Sequence, residues 1–209
     1  MSRTVYKESL FRNEIENEFL NLNSNYDNIS LVGDFNSRTA EIRDIPDIRY
    51  DAFSGMLDLN YNVISLLQKL NIDIERKSKD CNRNTFGNIL IEFCRNNNMI
   101  ICNGRVGKDK GVGEFTCKHS SVVDYYIVSP NGLKIINSFS ILEPSKLFSD
   151  VHSPLSLTLK CYIQTNSGHD SIVIHEEKIK KSGIMKSLHI SLTTLTMLKI
   201  TRGLGGSMS

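Results

Sequence analysis

Three short stretches of this chain hold residue types that phosphoester chemistry uses. Asp34 and Asn36 flank Phe35 directly after Gly33. A carboxylate and an amide two positions apart share one side of an extended turn, where they could hold a Mg2+-bound water and a phosphate oxygen. The same two residue types are also common turn formers. Asp124 interrupts an apolar run formed by Val122, Val123, Tyr125 and Tyr126. A carboxylate in such a run is costly without a partner, so it either orients a histidine or bonds a nearby backbone group or arginine. His152 stands between Val151 and Ser153, just ahead of Pro154 and another apolar run. A histidine fixed by a buried aspartate has a controlled tautomer and charge, which suits general acid–base work. With a hard cation, Asp34, Asn36, Asp124 and His152 could activate a water, stabilise developing negative charge and assist a leaving group.

Such residues act only if the chain brings them together. Residues 6–22 place Tyr6, Leu10, Phe11, Ile15, Phe19, Leu20 and Leu22 at helical spacing, which predicts an amphipathic helix. Residues 29–33 form a short β-branched run closed by Gly33, which predicts a buried strand. Asp34 and Asn36 then sit just past a strand end, where open sheets place ligands. Residues 37–58 show no period and hold Pro46, so a long loop is expected. A short helix is expected over 59–70. A better one is expected over 85–98, with Ile89, Leu90, Phe93 and Cys94 on its apolar face and Asn84 or Thr85 as cap. Strands are expected over 99–102, 114–116, 122–128, 133–139 and 155–163, with a turn at Ser129, Pro130, Asn131 and Gly132. This order predicts an α/β sandwich rather than a doubly wound sheet. Residues 1–163 are expected to form the domain and 164–209 a weakly packed tail, because the stretch 184–200 alternates apolar and polar residues without a firm period.

The bulk properties exclude little. The 209 residues are 40% hydrophobic, which excludes wholesale disorder. A net charge of +2 is far from that of a dedicated nucleic-acid coat, yet an enzyme that cuts nucleic acid can keep its basic residues local. The five cysteines form no C-x-x-C pair, so reduced thiols in an intracellular protein are expected. The N-terminus has no signal-peptide pattern, and no apolar run is long enough to span a membrane. An intracellular location, with the nucleus a candidate compartment, is the expectation.

Taken in order, the three motifs resemble the endonuclease/exonuclease/phosphatase superfamily over roughly 6–159. The finer features are Gly33 to Asn36 followed by Ser37 and Arg38, the turn Cys102, Asn103, Gly104, Arg105, the stretch Glu114, Phe115, Thr116, Cys117, and the run Ser120, Ser121, Val122, Val123, Asp124, Tyr125, Tyr126. These resemble the DNA-nicking endonuclease domains of LINE-type retrotransposons. The resemblance implies the C-terminal portion of a DNase I-like four-layer α/β sandwich, a Mg2+ or Mn2+ cofactor, and DNA as partner. It implies that Asp34 positions the attacking water or a metal-bound ligand, with Asp150 as a second metal residue. Asn36 would contact the scissile phosphate, Asp124 would bond the catalytic histidine, and His152 would act as general base or as donor to the phosphate. Thr116, Arg38, Arg105 and Lys118 would contact phosphate or nucleic acid, with Lys108, Lys110 and His119 nearby.

The chain also departs from that pattern. The family carries strands ahead of this region that supply an asparagine and a metal-binding glutamate, and residues 1–28 offer only one helix. The expectation is therefore a truncated domain, with its missing half or a reverse transcriptase region in a longer polyprotein. Its cation would be weakly held and its activity impaired. The alternative is a catalytically dead fragment that binds nucleic acid. Val151 separates Asp150 from His152, which the family places side by side, and the connection 116–121 is short enough to trim a DNA-contacting hairpin.

Overall fold

The computed structural model describes residues 16, 17, 19, 20, 28–46, 59–144, 151–160, 174, 175, 187–192 and 196–200. The helix expected over 6–22 and the loop expected over 37–58 lie partly outside these residues; Glu16, Asn17, Phe19 and Leu20 are helical.

The run Ile29–Asp34, buried as far as Gly33, forms β1. Its neighbour β3, Asp124–Val128, is buried throughout. Both runs are apolar on both sides because both faces of their sheet are covered. Strand alternation sends Val32, Ile100, Tyr126 and Val128 into one core and Ile29, Leu31, Ile101, Tyr125 and Ile127 into the other. The sheet has five strands in the order β2-β3-β1-β8-β6, with β2 at Ile100–Ile101, β6 at Ile174–His175 and β8 at Thr196–Ile200. A second sheet runs β4-β5-β7, from Ile136–Ile141, Leu155–Lys160 and Ser187–Leu192. Every pairing among the described residues is antiparallel.

Helix α1 spans Leu59–Lys69 and α2 spans Thr85–Asn96. The apolar face of α2, Leu90, Ile91, Phe93 and Cys94, covers one side of the five-stranded sheet, where Phe19 meets Phe93 edge-on at 5.4 Å. Phe139, Leu155, Leu157 and Leu159 of the second sheet cover the other side, together with Val63, Ile64 and Leu67 of α1. Tyr126 stacks on Phe139 across that core at 5.8 Å. The architecture thus mixes helices with two antiparallel sheets. Among the described residues no helix is long and apolar enough to cross a membrane.

Several elements differ from expectation for local reasons. The strand expected over 133–139 begins only at Ile136, because Pro130–Ile135 form a 3-10 helix whose helical φ Pro130 presets at its start. No strand forms over 114–116; Cys117 instead makes isolated bridges to Ser121 and His152. Helix α2 stops at Asn96, and Asn98 turns left-handed at φ 53. Three strands, β6 to β8, come from the stretch read as a tail, and β7 and β8 pair with β5 and β1.

The start of α2 is locked to the loop that follows β1. Asn84 Oδ1 accepts the N–H groups of both Gly87 and Arg38, at 2.8 and 3.0 Å. A Cβ placed on Gly87 would overlap the Arg38 carbonyl oxygen. Gly87→Ala is therefore expected to destabilise the fold by about 1–3 kcal/mol through overpacking. Helix propensity alone would stabilise the variant by about 1 kcal/mol, and a urea midpoint that rises would sink the expectation.

Candidate functional site

β1 and β3 pair so that Asp34 lies directly opposite Asp124 at the end of the sheet. The ladder continues one step further, with the Phe35 N–H donating to the Val123 carbonyl at 2.9 Å. Gly33, at φ 136, brings the backbone to this edge in a conformation that favours glycine. Asn36 follows at φ 51, and its N–H donates to Asp34 Oδ1 at 2.8 Å, which closes a tight turn with the Asn36 side chain exposed. Asp34 and Asn36 thus share one turn, as their spacing predicted.

His152 arrives from the second sheet, just ahead of β5. The segment around it pairs with 116–118: Lys118 N–H donates to the Val151 carbonyl at 2.9 Å, and Ser153 N–H to the Thr116 carbonyl at 2.8 Å. This places His152 Nδ1 2.9 Å from Asp124 Oδ2 and 3.2 Å from Oδ1. An ionised carboxylate can only accept, so Nδ1 carries the proton and the lone pair of a neutral imidazole sits on Nε2. Asp34, Asp124 and His152 each offer a ligand atom within 4.8 Å of the others.

Burial pushes the Asp124 carboxyl above its usual range; hydrogen bonds from His152 and Thr116 pull the other way, and the nearby Asp34 charge adds to the rise. Its surroundings are built to hold it. Thr116 Oγ1 accepts the N–H groups of Val123 and Asp124, both at 3.0 Å. Asn103 spans β2 and β3 with its side chain: its amide donates to the Asp124 carbonyl at 3.0 Å and its Oδ1 accepts the Tyr126 N–H at 3.0 Å. Beneath the turn, Tyr125 Oη lies 2.9 Å from the carbonyl oxygens of Ser37 and Val122.

The other expected contacts go to different places. Thr116 is fully buried, so its hydroxyl positions Asp124 rather than facing solvent. Arg105 is also fully buried and forms a two-pronged pair with Asp44, Nη1 to Oδ2 at 2.9 Å and Nη2 to Oδ1 at 2.7 Å. The structure does not bring Arg105 to the site. Arg38 is partly exposed but its guanidinium grips Asp80 at 2.8 and 2.7 Å and reaches the Ser120 carbonyl at 3.2 Å. Asp80 in turn accepts the Val122 N–H at 3.0 Å. This pair ties the loop after β1 to the segment leading into Asp124. Burial alone would raise the Asp80 carboxyl, but the Arg38 hydrogen bonds and the backbone donors hold it below its usual range. Lys118 and His119 are exposed on a left-handed turn at the rim, with φ 50 and 51. Lys108 is exposed, and Lys110 reaches the Asn71 carbonyl at 2.8 Å and Asp73 at 3.5 Å. Asp150 lies outside the described residues.

Sequence reasoning missed Cys117. Its Sγ stands 3.9 Å from His152 Nε2, on the ring edge opposite Asp124. Burial pushes the thiol upward, and the charges of Asp124 and Asp34 add to the rise. It also missed Asn103, read only as part of a turn, and Asp80. A polar side chain buried by a distant strand leaves no local signal. Comparison with known protein families, curated proteins and solved structures returns no match for the chain.

Proposed function

We propose that this site hydrolyses phosphodiesters with a divalent cation, in the manner of the endonuclease/exonuclease/phosphatase superfamily, and that its substrate is DNA. The observation that carries the reading is the Asp124–His152 pair at 2.9 Å beside Asp34, which faces Asp124 in register. The layering of α2, the five-stranded sheet and the second sheet supports the four-layer sandwich of that family. Exposed Lys118 and His119 at the rim support a polyanionic partner.

Asp34 fits a hard cation, since its carboxylate stands at an accessible strand end. Asp124 is committed to His152, so the described residues supply few oxygens and Mg2+ or Mn2+ would keep most of its waters, as Mg2+ commonly does. When bound, such an ion neutralises developing phosphate charge and acidifies a water. His152 takes a proton at Nε2 or, once protonated, donates there to a phosphate oxygen. Asp124 fixes the tautomer and stabilises the imidazolium. Asn36 offers its amide to a non-bridging oxygen.

A second reading is a nucleic-acid-binding fold that no longer cuts, and the small number of oxygen ligands around Asp34 favours it. One experiment separates the two. The purified chain is incubated with supercoiled plasmid and Mg2+, beside a sample with the metal chelated, and its DNA affinity is followed against salt. Nicking lost on chelation is the expected result. Salt-sensitive binding without nicking would establish the second reading, and neither nicking nor binding would remove both.

A further inference from the structure

Cys117 and His152 face each other as directly opposed residues of an antiparallel bridge. Their backbones are clamped on both sides, by Lys118 N–H to the Val151 carbonyl at 2.9 Å and Ser153 N–H to the Thr116 carbonyl at 2.8 Å. Opposed residues in such a pair project their side chains to the same face with Cβ atoms about 5 Å apart. A thiol and an imidazole nitrogen are therefore held side by side by the fold, independently of any hydrolytic role.

We propose that Cys117 Sγ and His152 Nε2 are the two fixed ligands of a site for Zn2+ and similar borderline-soft ions.

Two observations carry this. Tetrahedral zinc with bonds of about 2.3 Å to sulfur and 2.05 Å to nitrogen spans about 3.6 Å between those two atoms, and the observed separation is 3.9 Å. An adjustment of a few tenths of an ångström completes the geometry. His152 presents Nε2 because Nδ1 is held by Asp124 at 2.9 Å, an arrangement in which an outer carboxylate fixes the ring of a metal-ligating histidine. Thiolate with imidazole selects zinc, cobalt or copper, whereas Mg2+ prefers oxygen alone. Cys94 and Cys102 are buried in the apolar cores and Cys81 is exposed on a loop, so among the described cysteines Cys117 alone stands beside a histidine. If the site also performs the hydrolysis proposed above, zinc would occupy the Nε2 lone pair and inhibit it. That consequence rests on the hydrolase reading; the metal site does not.

Co2+ is the probe. Titrated into the full reduced chain with Mg2+ in excess, it is expected to bind at one equivalent and produce a thiolate-to-cobalt charge-transfer absorption in the near ultraviolet. Cys117→Ser should abolish the band while circular dichroism stays unchanged, and Cys81→Ser and Cys161→Ser should keep it. Asp124→Asn should weaken Co2+ binding about 10–100-fold, the usual effect of losing an outer-sphere partner. A wild-type chain without the band, or a band that survives Cys117→Ser, overturns the inference. Magnesium-dependent nicking would stand or fall separately, because it is read without cobalt.

Discussion

Arg105→Met is expected to cost about 3–5 kcal/mol of folding stability, the usual penalty for stripping one partner from a buried ion pair. Against a typical domain stability of about 5–15 kcal/mol, this ranks among the most damaging single changes. Both side chains of the Arg105–Asp44 pair are 0% exposed. Without the guanidinium, Asp44 would keep one hydrogen bond, from the Ile101 N–H at 2.7 Å, and the more distant charge of Arg76. Arg105 also donates to the carbonyls of Ile101, Ile74 and Asp73 at 2.7, 2.6 and 3.0 Å. The double variant Asp44→Leu, Arg105→Met should therefore recover only part of the loss, because those carbonyls stay without their donor.

The pair also sets an acid dependence. Burial would raise the Asp44 carboxyl, but the charge and hydrogen bonds of Arg105 hold it below its usual range. Its stabilising contribution is fully present above the unfolded value of about 3.9 and is lost as pH falls through the lower folded value. The gap between wild type and Arg105→Met should narrow below about pH 4. Urea midpoints at pH 7 and pH 3.5 measure both effects. A loss under about 1 kcal/mol at neutral pH, below the range for breaking a buried pair, would show that the pair is not closed to water.

His152→Ala is expected to lower the proposed hydrolysis by about 100- to 10,000-fold, the range for removing a positioned general acid–base group. Asp124→Asn should fall in the same direction while leaving the ring in place, because an amide cannot stabilise an imidazolium as a carboxylate does. The two losses should not add in the double variant, since both act through Nε2. Initial nicking rates of the four proteins at one Mg2+ concentration form the test. Rates unchanged by His152→Ala would sink the assignment of this site. Additive losses would mean that Asp124 acts on something other than the histidine.

Much of the site's chemistry can be read from local sequence. The apolar run ending in Gly33 places Asp34 and Asn36 at a strand end, and β1 extends to Asp34. A carboxylate inside the run around Tyr125 demands a partner, and the pairing with His152 meets that demand. The cap at Asn84 and most of the face of α2 follow from spacing and side-chain chemistry, although Ile91 rather than Ile89 completes the buried face. These features depend on a few consecutive residues or on one periodicity.

The rest depends on register between segments far apart in the chain. That Asp34 opposes Asp124, and Cys117 opposes His152, follows from strand pairing, and one residue of slip would turn each side chain to the other face. Arg105 and Arg38 have the composition of phosphate contacts, yet distant Asp44 and Asp80 claim them, and no local pattern shows which carboxylate folding will bring within 3 Å. The strands β7 and β8 gain their place only when β5 and β1 present open edges to them. The sequence by itself thus determined which groups could do chemistry at the end of β1. Tertiary structure decided which cations remain at the rim, which are buried as struts, and that a thiol stands at the working edge of the histidine, because burial and pairing are properties of the whole packed chain.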